Sequence, residues 1–430
     1  MRRLRWLIPG MGIKRWIFMS IVGAILAILG AFLLGGVKIG SSSIISIIAG
    51  LFILLVGLYF IIAGIRELVR FIISMLLPQR ERELIDIVYA KRHLSKGPNI
   101  VTIGGGTGLS VLLHGLKKYT SNISAIVTVT DDGGSSGRLR REFDILPPGD
   151  IRDCLVALAD AEPLMGELFQ FRFEKESELG GHNFGNLFIT AMTKLTGDFE
   201  KAIKASSRIL AIRGQVIPST LRKITLIAKH KNGETTKGET KISEVRDRID
   251  KIYLDPPHCE PAGEVIEAIN RADAIILGPG SLYTSIIPNL LVRGVSEAIS
   301  NSSAPKIYVC NVMTQSHETD EYTASEHVEA ITSHTNSKTI DYVIVNTQEI
   351  PRNSRAKYEE ENAHPVVNDL YKIREMGHKV MAVDVINTVD HVRHNSEKLA
   401  RIIIDLISDI PACRQAGPPR QAGKVKRTNK

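Results

Sequence analysis

Cysteine is scarce in this chain. Cys154, Cys259, Cys310 and Cys413 are four in 430 residues, too few for a disulfide scaffold. No two are close enough for a CxxC pair, so nothing supports a zinc site built on cysteine. No GK[ST] follows a glycine-rich run, which excludes a Walker A loop. The histidines lack HExxH spacing, and His391-Val392-Arg393-His394 reads as a solvated loop rather than a metal site. Ser281 lies in a GPGS turn, not in a GxSxG elbow. Apolar residues at 44% and charged residues at 23% are ordinary values and exclude a disordered or collagen-like chain.

Acidic residues are also scarce, but only at the two ends. Residues 1–98 hold 13 Lys and Arg against 4 Asp and Glu, and residues 411–430 hold 6 basic residues and no acidic one. The net charge of +8 therefore conceals a balance of −7 over residues 99–410. A groove that neutralises phosphates along a nucleic acid needs the opposite sign, so nucleic acid is not an expected partner.

What is present at the front is hydrophobic length. Trp16–Val37 and Ile44–Ile65 are uncharged runs of 22 residues each. About 20 apolar residues cross a ~30 Å hydrocarbon core, so residues 16–37 and 44–65 read as two membrane spans. Lys38–Ser43 leaves room only for a tight turn. Arg2, Arg3, Arg5, Lys14 and Arg15 precede the pair, and Arg66, Arg70, Arg80 and Arg82 follow it. Positive charge stays inside, which places both ends in the cytoplasm and the chain in the inner membrane. Residues 1–77 are then a membrane hairpin with an interfacial helix over Leu68–Leu77, 78–98 a charged linker, 99–410 the cytoplasmic domain, and 411–430 a disordered basic tail.

The domain opens with strand, glycine turn and helix. Asn99–Ile103 runs into Gly104-Gly105-Gly106-Thr107-Gly108, followed by a helix with Leu109, Leu112, Leu113 and Leu116 on one face. Such a turn lets backbone approach a phosphate at a helix N-terminus, although a tight turn without ligand has the same sequence. The spacing is not a strict GxGxxG. A second strand, Ile123–Thr130, ends in Asp131-Asp132-Gly133-Gly134-Ser135-Ser136. Two carboxylates there suit ribose or a metal, with Asp131 or Asp132 as the candidate Mg²⁺ ligand; capping of the loop is the plain alternative. His182, Asn183 and Asn186 stand at a helix start, where they cap it or hold a ligand. Asp198 caps another helix, after which comes Arg213. Leu221–Lys229 and Glu234–Lys241 flank Asn232-Gly233 as a β-hairpin. Ala272–Leu277 is a strand ending in Gly278-Pro279-Gly280-Ser281, a third glycine-rich loop. Ile307–Asn311, Tyr342–Asn346 and Lys379–Asp384 are further strands. The alternation predicts an α/β fold with a doubly wound parallel sheet, and ligands there bind beyond the carboxyl ends of the strands.

At IGGGTGLSVLLHGLK, IVTVTDDGGSSGRLRREF, ILPPGDIRDCLVALAD, GHNFGNLFITAMT and ILGPGSLYTSIIPNLL the chain resembles the YvcK proteins, or gluconeogenesis factors, of the CofD-like superfamily. IYVCNVMTQSHETDEYTASEHV and DYVIVNTQEIP extend the likeness, which runs from about Asn99 to Ser408. The resemblance implies a modified Rossmann-like fold. It also implies binding of a nucleotide sugar of the UDP-N-acetylglucosamine type and a role in cell shape and envelope growth on gluconeogenic carbon. No catalytic reaction is established for such proteins. The superfamily's other activity gives the alternative: transfer of a phospholactyl-type group from a GDP-linked donor to a deazaflavin alcohol. An NAD-dependent enzyme is a weaker third reading. A homo-oligomer is expected. The candidate ligand contacts are Gly104 to Gly108, Asp131 to Ser136, His182, Asn183, Asn186, Arg213 and Gly278 to Ser281. The two membrane spans depart from relatives expected to begin near the glycine turn.

Overall fold

The computed structural model describes residues 13–35, 44–76, 93–160, 163–351, 355, 358–360, 362–387 and 392–410. The tail at 411–430 and most of the 78–98 linker lie outside the described residues. The chain divides into two compact units, residues 1–90 and 91–430.

The first unit is a pair of helices, α1 (Ile13–Gly35) and α2 (Ile44–Leu76). At 1.5 Å per residue they measure about 35 Å and 50 Å, enough to cross a membrane. Their large side chains point outward: Phe18 is 68% exposed, Phe32 77% and Phe52 67%. The core helix of a soluble protein buries such surface. The inner faces are small. A Cβ on Gly57 would lie 2.4 Å from Ala27 N, and one on Gly30 would lie 2.5 Å from Leu54 N. The two backbones touch there, because small residues let helices approach closely. Glu67 is paired with Arg70 and Arg66. The expected interfacial helix is not separate: Leu68–Leu76 continues α2 without a break, because no Pro or Gly interrupts it.

The second unit is a seven-stranded parallel sheet in the order β10-β9-β8-β7-β1-β2-β3. In chain order its strands are β1 (Ile100–Gly104), β2 (Ile123–Val127), β3 (Gln215–Pro218), β7 (Ala274–Leu277), β8 (Lys306–Val309), β9 (Tyr342–Asn346) and β10 (Lys379–Val383). Helices connect the strands, the main ones being α3 (Gly106–Leu116), α4 (Gly134–Phe143), α5 (Gly149–Leu158), α6 (Phe184–Thr196) and α7 (Phe199–Ile209). The central strands are buried, so they read as continuous apolar runs. Leu109, Leu112, Leu113 and Leu116 of α3 are buried in the core, as their spacing predicts. The chain winds outward from β1 to β3, then returns to β7 on the other flank of β1 and continues to β10. The β1/β7 boundary is thus a topological switch point, where loops from neighbouring strands diverge and leave a crevice.

Between β3 and β7 lies an antiparallel sheet of β4 (Thr225–His230), β5 (Thr235–Lys237) and β6 (Ile249–Asp255), with the short helix α8 (Glu239–Ile242). The expected hairpin is its first half. Its second arm stops at Lys237, because Gly238 adopts φ +101 and turns the chain into α8. β3 and β6 were absent from the sequence reading. β2 also ends earlier than expected, at Val127. Residues 93–98 pack onto the domain rather than link to it: Leu94 is buried and its carbonyl accepts from Ser121 N. The last elements are α9 (Ala324–His334), the two-stranded pair β11 (Ile386–Asn387) and β12 (Arg393–His394), and α10 (Ser396–Asp409).

Candidate functional site

Two glycine turns face each other across the switch point. The turn after β1 presents Gly105 to Gly108, and the turn after β7 presents Gly278 to Ser281. They meet so closely that a Cβ on Gly108 would lie 2.7 Å from Pro279 O and 2.9 Å from Gly280 Cα. Asn311, just past β8, clamps the second turn: its Nδ2 donates to Gly280 O at 2.9 Å and its Oδ1 accepts from Gly280 N at 3.3 Å. Around them opens a cavity of about 620 Å³ lined by Gly105 to Gly108, Pro279 to Ser281, Asp150, Glu239, Glu318 and Arg393, among others. α3 starts inside it at Gly106, and its N-cap residue, Gly105, has no side chain to cap the helix. First-turn N–H groups of a helix lack intrahelical partners and attract anions.

The acidic wall is what sequence reasoning missed. Asp150, at the start of α5, receives the Gly106 N–H and is pushed up to about 8 by burial, reinforced by the charges of Asp131 and Asp153. Glu239 is held well above the usual carboxylate range by burial and by Asp150, Asp131 and Glu318. Proton counting agrees. Thr130 Oγ1 lies 3.0 Å from Glu239 Oε2 and 3.1 Å from Thr284 O. A hydroxyl has one proton and can satisfy only one of two acceptors; a neutral Glu239 that donates to Thr130 satisfies both contacts. Glu318 is also raised by burial, opposed by hydrogen bonds from Ser281, Thr284 and the Tyr283 N–H. Ser281 Oγ donates to Glu318 Oε2 at 2.5 Å, and Thr284 Oγ1 lies 2.7 Å from Ser281 Oγ and 3.4 Å from Glu318 Oε1. The cavity thus combines backbone donors for phosphate with acidic groups that accept from hydroxyls.

A family model for the 2-phospho-L-lactate transferase CofD matches residues 100–386. A protein from Nostoc sp. described as a putative gluconeogenesis factor is 46% identical over 417 residues, covering 93% of this chain and 91% of its own. The gluconeogenesis factor of Bacillus subtilis is 47% identical over 317 residues, covering 74% of this chain and 100% of its own. A crystal structure of a protein from Bacillus halodurans superposes with TM-score 0.70 at 47% identity, covering 72% of this chain and 99% of that one.

The chain belongs to the gluconeogenesis factor family, with a CofD-like domain.

The family has two lengths. The Bacillus subtilis protein matches over its whole length within about three-quarters of this chain. The Nostoc alignment is too long for residues 99–430 alone and must include much of the first 98 residues. The added front is therefore shared with at least one relative, while the Bacillus subtilis protein has the shorter form expected of most relatives.

Of the expected site residues, Gly105 to Gly108 and Pro279 to Ser281 come together in the cavity, with Gly104 and Gly278 directly behind. The DDGGSS loop sits beside it. Asp131 and Asp132 diverge: Asp131 Oδ1 accepts from Gly133 N at 2.9 Å, while Asp132 Oδ1 accepts from Thr240 N and Thr240 Oγ1 at 2.9 and 2.7 Å. They form no chelating pair, and among the described residues no three Asp, Glu, His or Cys converge on a metal position. The Asp131 carboxyl is raised by burial. Gly134 adopts φ +45 and starts α4.

His182, Asn183 and Asn186 form a buried network rather than cavity lining. Asn183 caps α6 by accepting from Asn186 N, His182 Nδ1 lies 3.2 Å from Ser135 Oγ, and Asn186 joins Ser136 to Arg152. Arg213 is not brought to the site. It precedes β3, so it lies at the amino edge of the sheet, where it pairs with Asp160 at 2.6 Å and donates to Lys117 O. Arg393 is exposed, as the solvated reading expects, but 393–394 form the strand β12 rather than a loop; both residues line the cavity, and burial drives the His394 imidazole down to about 4. Glu239 and Glu318 gave no signal, since each sits in a stretch that reads as a polar surface.

Proposed function

We propose that this protein is a membrane-attached regulator whose cytoplasmic domain binds a nucleotide sugar of the UDP-N-acetylglucosamine type and couples precursor supply to envelope growth and cell shape. One observation carries the reading: a cavity at the sheet's switch point is lined by a helix N-terminus, two glycine turns and three carboxyl groups. A diphosphate fits the turns and helix start, and sugar and ribose hydroxyls fit the carboxyl groups. The names of the relatives support a role in carbon metabolism. The arginine-flanked hairpin supports anchoring in the inner membrane with both ends in the cytoplasm. Self-association belongs to the same proposal.

A CofD-like transferase is the second reading. It is favoured by the family match and by carboxyl groups in the cavity that accept a hydrogen bond from an alcohol. The present carboxylate arrangement does not fit a preformed Mg²⁺ cage, so no step is routed through a metal.

Isothermal titration of the protein with UDP-N-acetylglucosamine, GDP and NAD, in EDTA and in excess Mg²⁺, tests both. The regulator predicts UDP-sugar binding that Mg²⁺ changes little. Strict Mg²⁺ dependence, with product formed from a GDP-linked donor and a deazaflavin alcohol, overturns it.

A further inference from the structure

Helix α8 spans the rim of the cavity like a strap. At its start, both the Thr240 N–H and the Thr240 hydroxyl donate to Asp132 Oδ1. Gly238 is pressed against the other oxygen, where a Cβ would lie 2.6 Å from Asp132 Oδ2. Past its far end, the Ser243 carbonyl meets His317 Nδ1 at 2.9 Å, in the loop that follows β8. Beside these two ties, Glu239 and Ser243 line the cavity. The root of the insertion is fastened to the same β2 loop, because Arg140 donates to both Thr130 O and Ile224 O. Asp132 itself does not line the cavity.

We propose that Asp132 is a positioning residue that carries Glu239 into the cavity wall, and that Glu239 selects a ligand bearing a hydroxyl at that wall. The inference rests on the nucleotide-sugar reading for its ligand, but not for its geometry. A carboxylate accepting two hydrogen bonds from one residue fixes a short segment that has little hydrophobic anchorage; Ile242 is its one buried apolar side chain. A carboxyl that already spends one oxygen on Thr130 has the other free to accept from a ligand hydroxyl. The DDGG motif thus divides its work: Asp131 closes its own loop, and Asp132 holds a segment 108 positions further along the chain.

A double-mutant cycle on the full-length protein in detergent tests this. UDP-N-acetylglucosamine affinity is measured for Asp132→Ala, Glu239→Ala and the pair, with Asp132→Asn as the conservative control. Each alanine variant should lose about tenfold, and the pair no more than Glu239→Ala alone, because Asp132 acts through Glu239. Asn keeps an acceptor and should restore most of the affinity. Hydrogen exchange without ligand gives an independent arm: Asp132→Ala should speed exchange at the Thr240 amide, while Glu239→Ala should not. Additive losses in the cycle, or unchanged exchange at Thr240, overturn the proposal. Faster exchange with no UDP-sugar binding by the wild type would keep the positioning role and reject only the ligand.

Discussion

Glycine does opposite work in the two units. In the helical hairpin, Gly30 and Gly57 remove side chains so that two helices can touch along a seam. In the domain, Gly105 and Gly108 remove side chains so that a loop can meet another loop and leave room for a ligand. The first use fits the membrane location proposed above. In a lipid solvent apolar side chains gain nothing by clustering, so contact between backbones becomes the attraction. The second follows from topology, since a parallel sheet that reverses its winding opens a crevice at the reversal. The hairpin is therefore legible from local hydropathy, while the cavity wall is assembled from residues more than a hundred positions apart.

The largest expected effect concerns the charge that the domain tolerates and the hairpin avoids. Asp150 has an ordinary value of 3.8 and is raised to about 8 in the fold. Between those values the unfolded chain has released its proton and the folded chain retains it. Stability from this group is thus intact below about pH 4 and falls by about 1.4 kcal/mol per pH unit until pH 8, where the loss levels off. Asp150→Asn removes the titration while keeping an acceptor for the Gly106 N–H. Denaturant unfolding of residues 91–430 at pH 5 and pH 8 should show the variant gaining several kcal/mol on the wild type at the higher pH. Equal pH slopes would refute the buried, proton-holding carboxyl. The ligand should follow the same rule: nucleotide affinity of the wild type should fall above pH 8, where an ionised Asp150 repels phosphate, and that of Asp150→Asn should not.

Next in size are the glycine contacts themselves. Gly108→Val has backbone on both sides at 2.7 and 2.9 Å, with no flexible neighbour to yield. It should cost about 1–3 kcal/mol of domain stability and, by forcing the turns apart, weaken nucleotide binding by about a hundredfold. Gly57→Ile should cost a similar amount in the hairpin. The two tryptophans, Trp6 and Trp16, both precede residue 91, and Trp16 lies in α1, so tryptophan fluorescence follows the first unit. Gly57→Ile should shift the tryptophan transition in detergent and leave nucleotide affinity unchanged, while Gly108→Val should do the reverse. A variant that moves both signals would show that the units are energetically coupled.

The sequence made some of this visible. Strand, glycine turn and helix have a local syntax, so β1, β7 and both turns could be placed from their own residues. Leu109, Leu112, Leu113 and Leu116 reported the buried face of α3 through their period. What stayed hidden was convergence. Glu318 lies in an acidic, polar stretch, QSHETDEY, that looks solvated, and only the loop after β8 brings it to Ser281. Glu239 looked like one arm of a surface hairpin. Asp150 could have been noticed: a carboxylate opening a helix after Pro-Pro-Gly is well placed to face the strands' carboxyl ends. β3 was missed because Gln215–Pro218 is four residues long and ends in proline, which resembles a loop.

The smallest effect separates two residues that the sequence treated alike. Arg213 and Thr107 were both ligand candidates, each beside a glycine. A residue that follows a strand of a parallel sheet lies at its carboxyl edge, and one that precedes a strand lies at the opposite edge. Thr107 follows β1 and lines the cavity; Arg213 precedes β3 and pairs with Asp160, its side chain 31% exposed. An ion pair this open to water contributes at most about 1 kcal/mol. Arg213→Ala should therefore lower domain stability by less than that and leave nucleotide affinity at the wild-type value. Thr107→Val keeps the β-branched shape and removes one hydroxyl. If the phosphate sits at the start of α3, it should lose about 1 kcal/mol of affinity with no change in stability. Titration and thermal melting of the two variants side by side give a crossed pattern when strand direction decides the site. An affinity loss in Arg213→Ala would mean that the ligand reaches the amino edge, which a crevice at the β1/β7 switch point does not allow.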